Sequence, residues 1–106
     1  MKFLIKTFTI VMSTMLCSSV FGQEKNPKTF VIVHGAWGGS WAFKKVDSVM
    51  SAHGNLVYRP SLTGQGERVH LASTMVDLST HINDVVNMIL FEDLENIILV
   101  GHSYGG

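Results

Sequence analysis

Hydrophobic and polar positions fall into five blocks behind an apolar start. Thr29–Val33 (TFVIV) is a continuous β-branched and aromatic run, the pattern of a strand covered on both faces. From Trp41 to His53 the apolar residues Trp41, Val46, Val49 and Met50 recur at helical spacing, and His53-Gly54-Asn55 closes that run with a C-cap signal. Leu56–Tyr58 is a short second strand, ended by Pro60. Ser61 to Ser73 reads as an exposed loop, with Gly64 and Gly66 supplying turn conformations. A second helix over Ser79–Phe91 sets Ile82, Val85, Val86 and Ile89 on one face, and Ile97–Val100 is a third fully apolar strand. Strand, helix, strand, helix, strand with apolar strands predicts an α/β fold, a parallel sheet flanked by helices. Right-handed crossovers fix its hand. Both glycine-rich turns, His34–Ser40 and Gly101–Gly106, follow the carboxyl ends of predicted strands, where such sheets place ligands.

The start of the chain has a different character. Lys2 and Lys6 precede an uncharged apolar stretch, Thr7 to Phe21, which leads to Val20-Phe21-Gly22 ahead of Gln23-Glu24. A basic start, an apolar centre and small residues before the cut are the parts of a secretory signal peptide, predicted here over residues 1–22 with cleavage after Gly22. The stretch is short and rich in Ser and Thr for a spanning helix, so an uncleaved anchor is the weaker reading and no stable membrane insertion is expected after cleavage. Cleavage removes two of the eight basic residues and none of the eight acidic ones, turning a neutral chain slightly negative. No basic excess recommends a nucleic-acid partner. Cys17, the single cysteine, leaves with the signal, which excludes a disulfide framework and a cysteine-based zinc site. Leu16 before it is not the small residue that lipid attachment needs. With 46% hydrophobic and 15% charged residues, the chain has a globular composition.

Gly101-His102-Ser103-Tyr104-Gly105 matches G-x-S-x-G directly after a predicted buried strand. The chemistry needs that spacing, because a nucleophilic serine must stand on a sharp strand-to-helix turn whose flanking glycines remove colliding side chains. Ser103 is therefore the candidate nucleophile. The Tyr104 N–H, just after it, and the Ala36 N–H, in the turn after the first strand, are candidate oxyanion donors. Neither glycine turn fits a phosphate-binding loop: no Lys-Ser/Thr follows, and G-x-G-x-x-G is absent.

With these residues in view, Thr29–Gly106 resembles the start of an α/β-hydrolase fold protein. It is most similar to the esterase and hydroxynitrile-lyase-like branch, which includes plant methyl-ester esterases and bacterial pyrethroid-hydrolase-like enzymes. The matching stretches are HGAWGGSW (His34–Trp41), RPSLTGQGERVHL (Arg59–Leu71), THINDVV (Thr80–Val86) and LVGHSYGG (Leu99–Gly106). The chain departs from the frequent HGAWHG at Gly38. The resemblance implies a secreted or periplasmic serine hydrolase, a carboxylesterase acting on a small-molecule ester through an acyl-enzyme on Ser103, with no metal or organic cofactor. A carbon–carbon lyase on the same scaffold, or a non-catalytic binding protein, are the alternatives. In this fold the catalytic acid and histidine follow the serine, so both are expected beyond Gly106, and residues 23–106 alone are expected to fold poorly and lack activity. His34 is expected to pin the oxyanion turn through its side chain, and His102 to pack beside the elbow. His53, His70 and His81 read as cap, loop and helix-surface residues. Asp77, Asp84, Glu92, Asp93 and Glu95 fit exposed helix faces and ends. Trp41 is expected in the core, and Trp37 is a candidate pocket residue.

Overall fold

A computed structural model describes residues 26–106; the signal reading of residues 1–22 lies outside the described residues. Three parallel strands form one sheet: β1 (Thr29–Val33), β2 (Leu56–Tyr58) and β3 (Ile97–Gly101), in the order β2-β1-β3. Thr29 pairs with Leu56 on one side and Ile97 on the other, and the β1–β3 ladder runs to Val33 opposite Gly101. Helix α1 (Lys44–Ala52) connects β1 to β2, and helix α2 (Leu78–Phe91) connects β2 to β3. The first crossover moves one way across the sheet and the second moves back past β1. Right-handed crossovers in opposite directions put the two helices on opposite faces.

Central position and helix cover together bury β1, with Val31, Ile32 and Val33 all under a tenth exposed. Val31 and Val33 share one face of the strand and meet Leu62, with Val85, Met88 and Ile89 of α2 packed against them. β3 lies at the edge of the three strands and its apolar run is partly exposed, as expected of these three strands alone. It has one neighbouring strand, and Leu99 is 60% exposed. Trp41 departs from the expected core position, since it stands 58% exposed on a 3₁₀ turn, Ser40–Phe43, that precedes α1. The expected helix over Trp41–His53 is thus a 3₁₀ entry followed by α-helix from Lys44.

Both helix ends carry the chemistry that ends helices. His53 sits at the C-cap of α1 with its Nδ1 2.8 Å from the Val49 carbonyl, and Gly54 behind it adopts φ 87°, a conformation that favours glycine. At the start of α2, Asp77 accepts the Thr80 N–H (3.0 Å) while the Thr80 hydroxyl accepts the Asp77 N–H (3.3 Å), a reciprocal capping box. The Thr80 backbone N–H, then its hydroxyl, hold the Asp77 carboxyl below its ordinary range. A carboxylate whose folded-state value is depressed contributes stability above its unfolded value and loses it as pH falls through the folded one. Asp77→Ala should therefore lower the thermal midpoint at pH 7. The gap to the parent should narrow on acidification to about pH 2, as followed by circular dichroism melts.

Candidate active site

Because Val33 lies opposite Gly101, the turns leaving β1 and β3 start side by side. The His102 N–H donates to the Val33 carbonyl (3.0 Å), which extends the ladder by one bond into the second turn. The chain then reverses at Ser103, whose φ of 55° is in the left-handed region that costs a non-glycine residue energy. Ser103–Gly105 form a single 3₁₀ turn closed by Gly105 N–H to His102 O and Gly106 N–H to Ser103 O, both 3.0 Å. The glycines of the motif have a steric reason here. A Cβ on Gly105 would collide with the Val33 and His34 carbonyl oxygens, and one on Gly101 with the Gly105 carbonyl.

The turn after β1 is built around His34, a buried imidazole with both nitrogens engaged. The Leu62 N–H donates to Nε2 (3.0 Å), so the ring hydrogen must lie on Nδ1, which donates to the Gly35 carbonyl (2.7 Å). The Gly38 N–H donates to the same carbonyl (3.2 Å), closing a type II turn with Trp37 at the φ > 0 position (65°). A trans peptide points its N–H opposite its C=O. With the Gly35 carbonyl held by two donors, the Ala36 N–H faces the other way and has no acceptor among the described residues. The Tyr104 N–H is in the first residues of the 3₁₀ turn, where backbone donors have no partner within the turn. Gly35 lets the two turns approach closely, since a Cβ there would lie 3.1 Å from the Ser103 Cβ.

Between them lies a cleft of about 360 Å³ lined by residues of both turns, among them His34, Ala36 and Ser103. His102 borders it and meets Phe43 edge-on, with ring centroids 6.1 Å apart, beside the elbow as its position suggested. Among the described residues no side chain is hydrogen-bonded to the Ser103 hydroxyl, and none of the five histidines engages it. Trp37 is 96% exposed on the rim of a neighbouring groove that Trp41, Gly64 and Val69 also line.

Two surface assignments change. His81 bridges elements: its Nδ1 is 2.8 Å from the Tyr104 hydroxyl and its Nε2 2.9 Å from the Thr63 carbonyl. Asp84, one turn further along α2, accepts both the Thr63 N–H (2.6 Å) and the Thr63 hydroxyl (2.7 Å), with Arg68 at 3.7 Å. The segment after Arg59 is correspondingly not a free loop. Ser61 and Leu62 are buried, and a 3₁₀ stretch covers Gly66–Leu71. The Ser61 hydroxyl donates to Glu67 (2.7 Å) and accepts the Ser40 N–H (2.8 Å), and that bond to Glu67 chiefly holds its carboxyl below the ordinary range. Arg59 pairs with Asp47 (2.7 Å) and donates to the Ser40 carbonyl (2.9 Å). No period or turn signal marks these ties. Only the polar side chains of Ser61, Thr63 and Asp84 hint at them.

A parallel sheet with a strained serine at the end of one strand and a glycine turn beside it defines a class, and comparison with known proteins agrees with it. The alpha/beta hydrolase family model matches residues 30–106, and the chain belongs to that family. It is 48% identical over 77 residues to the carbendazim hydrolyzing esterase of Nocardioides sp. (strain SG-4G), covering 73% of this chain and 32% of that protein. Methylesterase 8 of Arabidopsis thaliana is 27% identical over 99 residues, 92% of this chain and 36% of its own length. Among solved structures, an extracellular alpha/beta-hydrolase from a Paenibacillus species is similar, with a TM-score of 0.68 and 33% identity over 74% of this chain and 31% of that one. That protein is described as sharing structural and functional homology with tobacco salicylic acid binding protein 2. The chain spans about a third of the length of these two curated relatives.

The packing of the elbow against β1 makes a direct prediction. Gly105→Ala should cost about 1–3 kcal/mol in urea unfolding of the whole protein, because the obstructing atoms are backbone carbonyls that cannot rotate away.

Proposed function

We propose that the whole protein is an exported serine hydrolase, a carboxylesterase acting on a small-molecule ester. The observation that carries this reading is Ser103 at φ 55° between two sterically required glycines, packed against the turn that bares the Ala36 N–H. Its kinship with an esterase and a methylesterase supports ester substrates, and the Met1–Gly22 stretch supports export to the periplasm or beyond.

In this reading the Ser103 Oγ attacks the ester carbonyl carbon while a histidine base takes the hydroxyl proton. The Ala36 and Tyr104 N–H groups hold the resulting oxyanion. Collapse of that intermediate breaks the bond to the alkoxy oxygen, which takes the proton from the histidine and leaves as the alcohol. Water, deprotonated by the same histidine, then cleaves the acyl-serine to release the acid and restore Ser103. We assign that base and its acid to protein outside residues 26–106, since no histidine here engages the hydroxyl. Trp37, on the rim of the groove beside the cleft at Ser103, would meet a part of the substrate that extends beyond it.

Ser103→Ala in the full-length protein should abolish labelling by a fluorophosphonate and lower turnover of p-nitrophenyl acetate by several orders of magnitude. Undiminished hydrolysis would overturn the assignment, and turnover of another substrate without any acyl-enzyme would point instead to a lyase. Ala36→Gly should be mild, whereas Ala36→Pro removes the donor and should reduce kcat by about 10²-fold or more. Full activity in a folded proline variant would remove Ala36 from the oxyanion site.

A further inference from the structure

The elbow has few bonds of its own. Ser103–Gly105 is one exposed turn with a strained serine, closed by two backbone hydrogen bonds and flanked by glycines. Among the described residues a single side chain ties it to the rest of the molecule through a hydrogen bond, and that side chain is Tyr104. The His81 Nε2 faces the Thr63 carbonyl, which can only accept, so Nε2 carries the hydrogen. In the neutral ring Nδ1 is then a bare acceptor, and the Tyr104 hydroxyl donates to it (2.8 Å). The two rings meet edge to face, with centroids 5.6 Å apart and planes at 87°. The Tyr104 ring lies over the apolar hollow between α2 and the sheet, lined by Val33, Leu62 and Val85, and does not border the Ser103 cleft. Its hydroxyl is bonded to His81, and its side chain does not line the cleft at Ser103.

We infer that His81 is a positioning residue. By holding the Tyr104 hydroxyl it fixes the peptide whose N–H is proposed to bind the oxyanion, and it ties that peptide to α2. His81 and Asp84 lie three residues apart on one face of α2 and together grip Thr63, through its carbonyl, its N–H and its hydroxyl. The anchor therefore rests on a fixed base. Oxyanion donors act by being oriented before charge develops, so a looser Tyr104 peptide weakens the transition state more than ground-state binding. This inference rests on the reading of Ser103 and Tyr104 given above, and the test separates the two.

The experiment measures p-nitrophenyl acetate kinetics in the full-length protein for Tyr104→Phe, His81→Ala, the double variant and His81→Asn, with Ser103→Ala alongside. Tyr104→Phe and His81→Ala should each lower kcat roughly three- to tenfold with KM within about twofold of the parent. The double variant should be no slower than the worse single one, as expected for two ends of one bond. His81→Asn, whose carboxamide oxygen accepts the phenolic hydrogen, should recover kcat to within about twofold. Should His81→Ala not fold, Tyr104→Phe removes the same bond from the other end and His81→Asn reports the rescue. Parental kcat in Tyr104→Phe, multiplicative losses, or a loss confined to KM would overturn the positioning role. If Ser103→Ala keeps its activity, the hydrolase reading itself falls. If Ser103→Ala is inactive while Tyr104→Phe is normal, only the role of His81 falls.

Discussion

Everything at the carboxyl edge of this sheet hangs on the two nitrogens of one buried imidazole. The His34 ring is planar and closely packed, so its hydrogen-bond directions are set by the strand that carries it. One nitrogen orients the peptide ahead of Ala36 and the other receives the backbone of Leu62, a residue of the β2–α2 connection that is itself buried. Removing the ring would strand a buried N–H, a cost of about 1–3 kcal/mol, and would loosen both segments together. The first turn and the following connection therefore behave as one unit, and Ser61, Glu67 and Arg59 extend that unit to the start of α1.

Backbone strain is distributed unequally around this frame. Among the described residues four non-glycine residues have positive φ. Asp93 and Asn96, after α2, are residue types that tolerate the left-handed region because short polar side chains interact locally with the backbone. Trp37 and Ser103 gain nothing of that kind, and they sit in the two turns that approach each other at Gly35. Each such residue costs on the order of 1–3 kcal/mol, and the surroundings must overdetermine it. The double hold on the Gly35 carbonyl and the collar of backbone around Gly105 supply that overdetermination.

The fold was legible because its signals are local and periodic. The TFVIV and IILV runs, the capped helical stretch before Gly54, and the glycines around Ser103 each declare an element from a few neighbouring residues. The pinning role expected of His34 was legible too, from its place at the opening of a glycine turn. What stayed hidden depends on partners far along the chain. His81 and Asp84 look like solvent-facing helix residues until the loop carrying Thr63 is laid across them, a contact spanning about twenty residues that no helical period encodes. Trp41 was misplaced for a related reason. Hydrophobic character reports what a residue would gain from cover, and exposure depends on which neighbours the sheet provides.

The β2-β1-β3 strand order also governs when such a site can come into being. β1 meets β2 after a short excursion, but Val33 meets Gly101 only when segments roughly 70 residues apart are brought together. Closing that loop carries an entropic cost before any contact rewards it, so long-range parallel pairing is slow among folding events. The cleft lies on that very seam, with one wall from the turn after β1 and the other from the turn after β3. A chain that has paired β1 with β2 and formed α1 already holds most of its first wall and none of its second. The turn at Ser103 can therefore close against β1 only after β3 has joined it, so its strained backbone depends on the longest loop closure in this sheet.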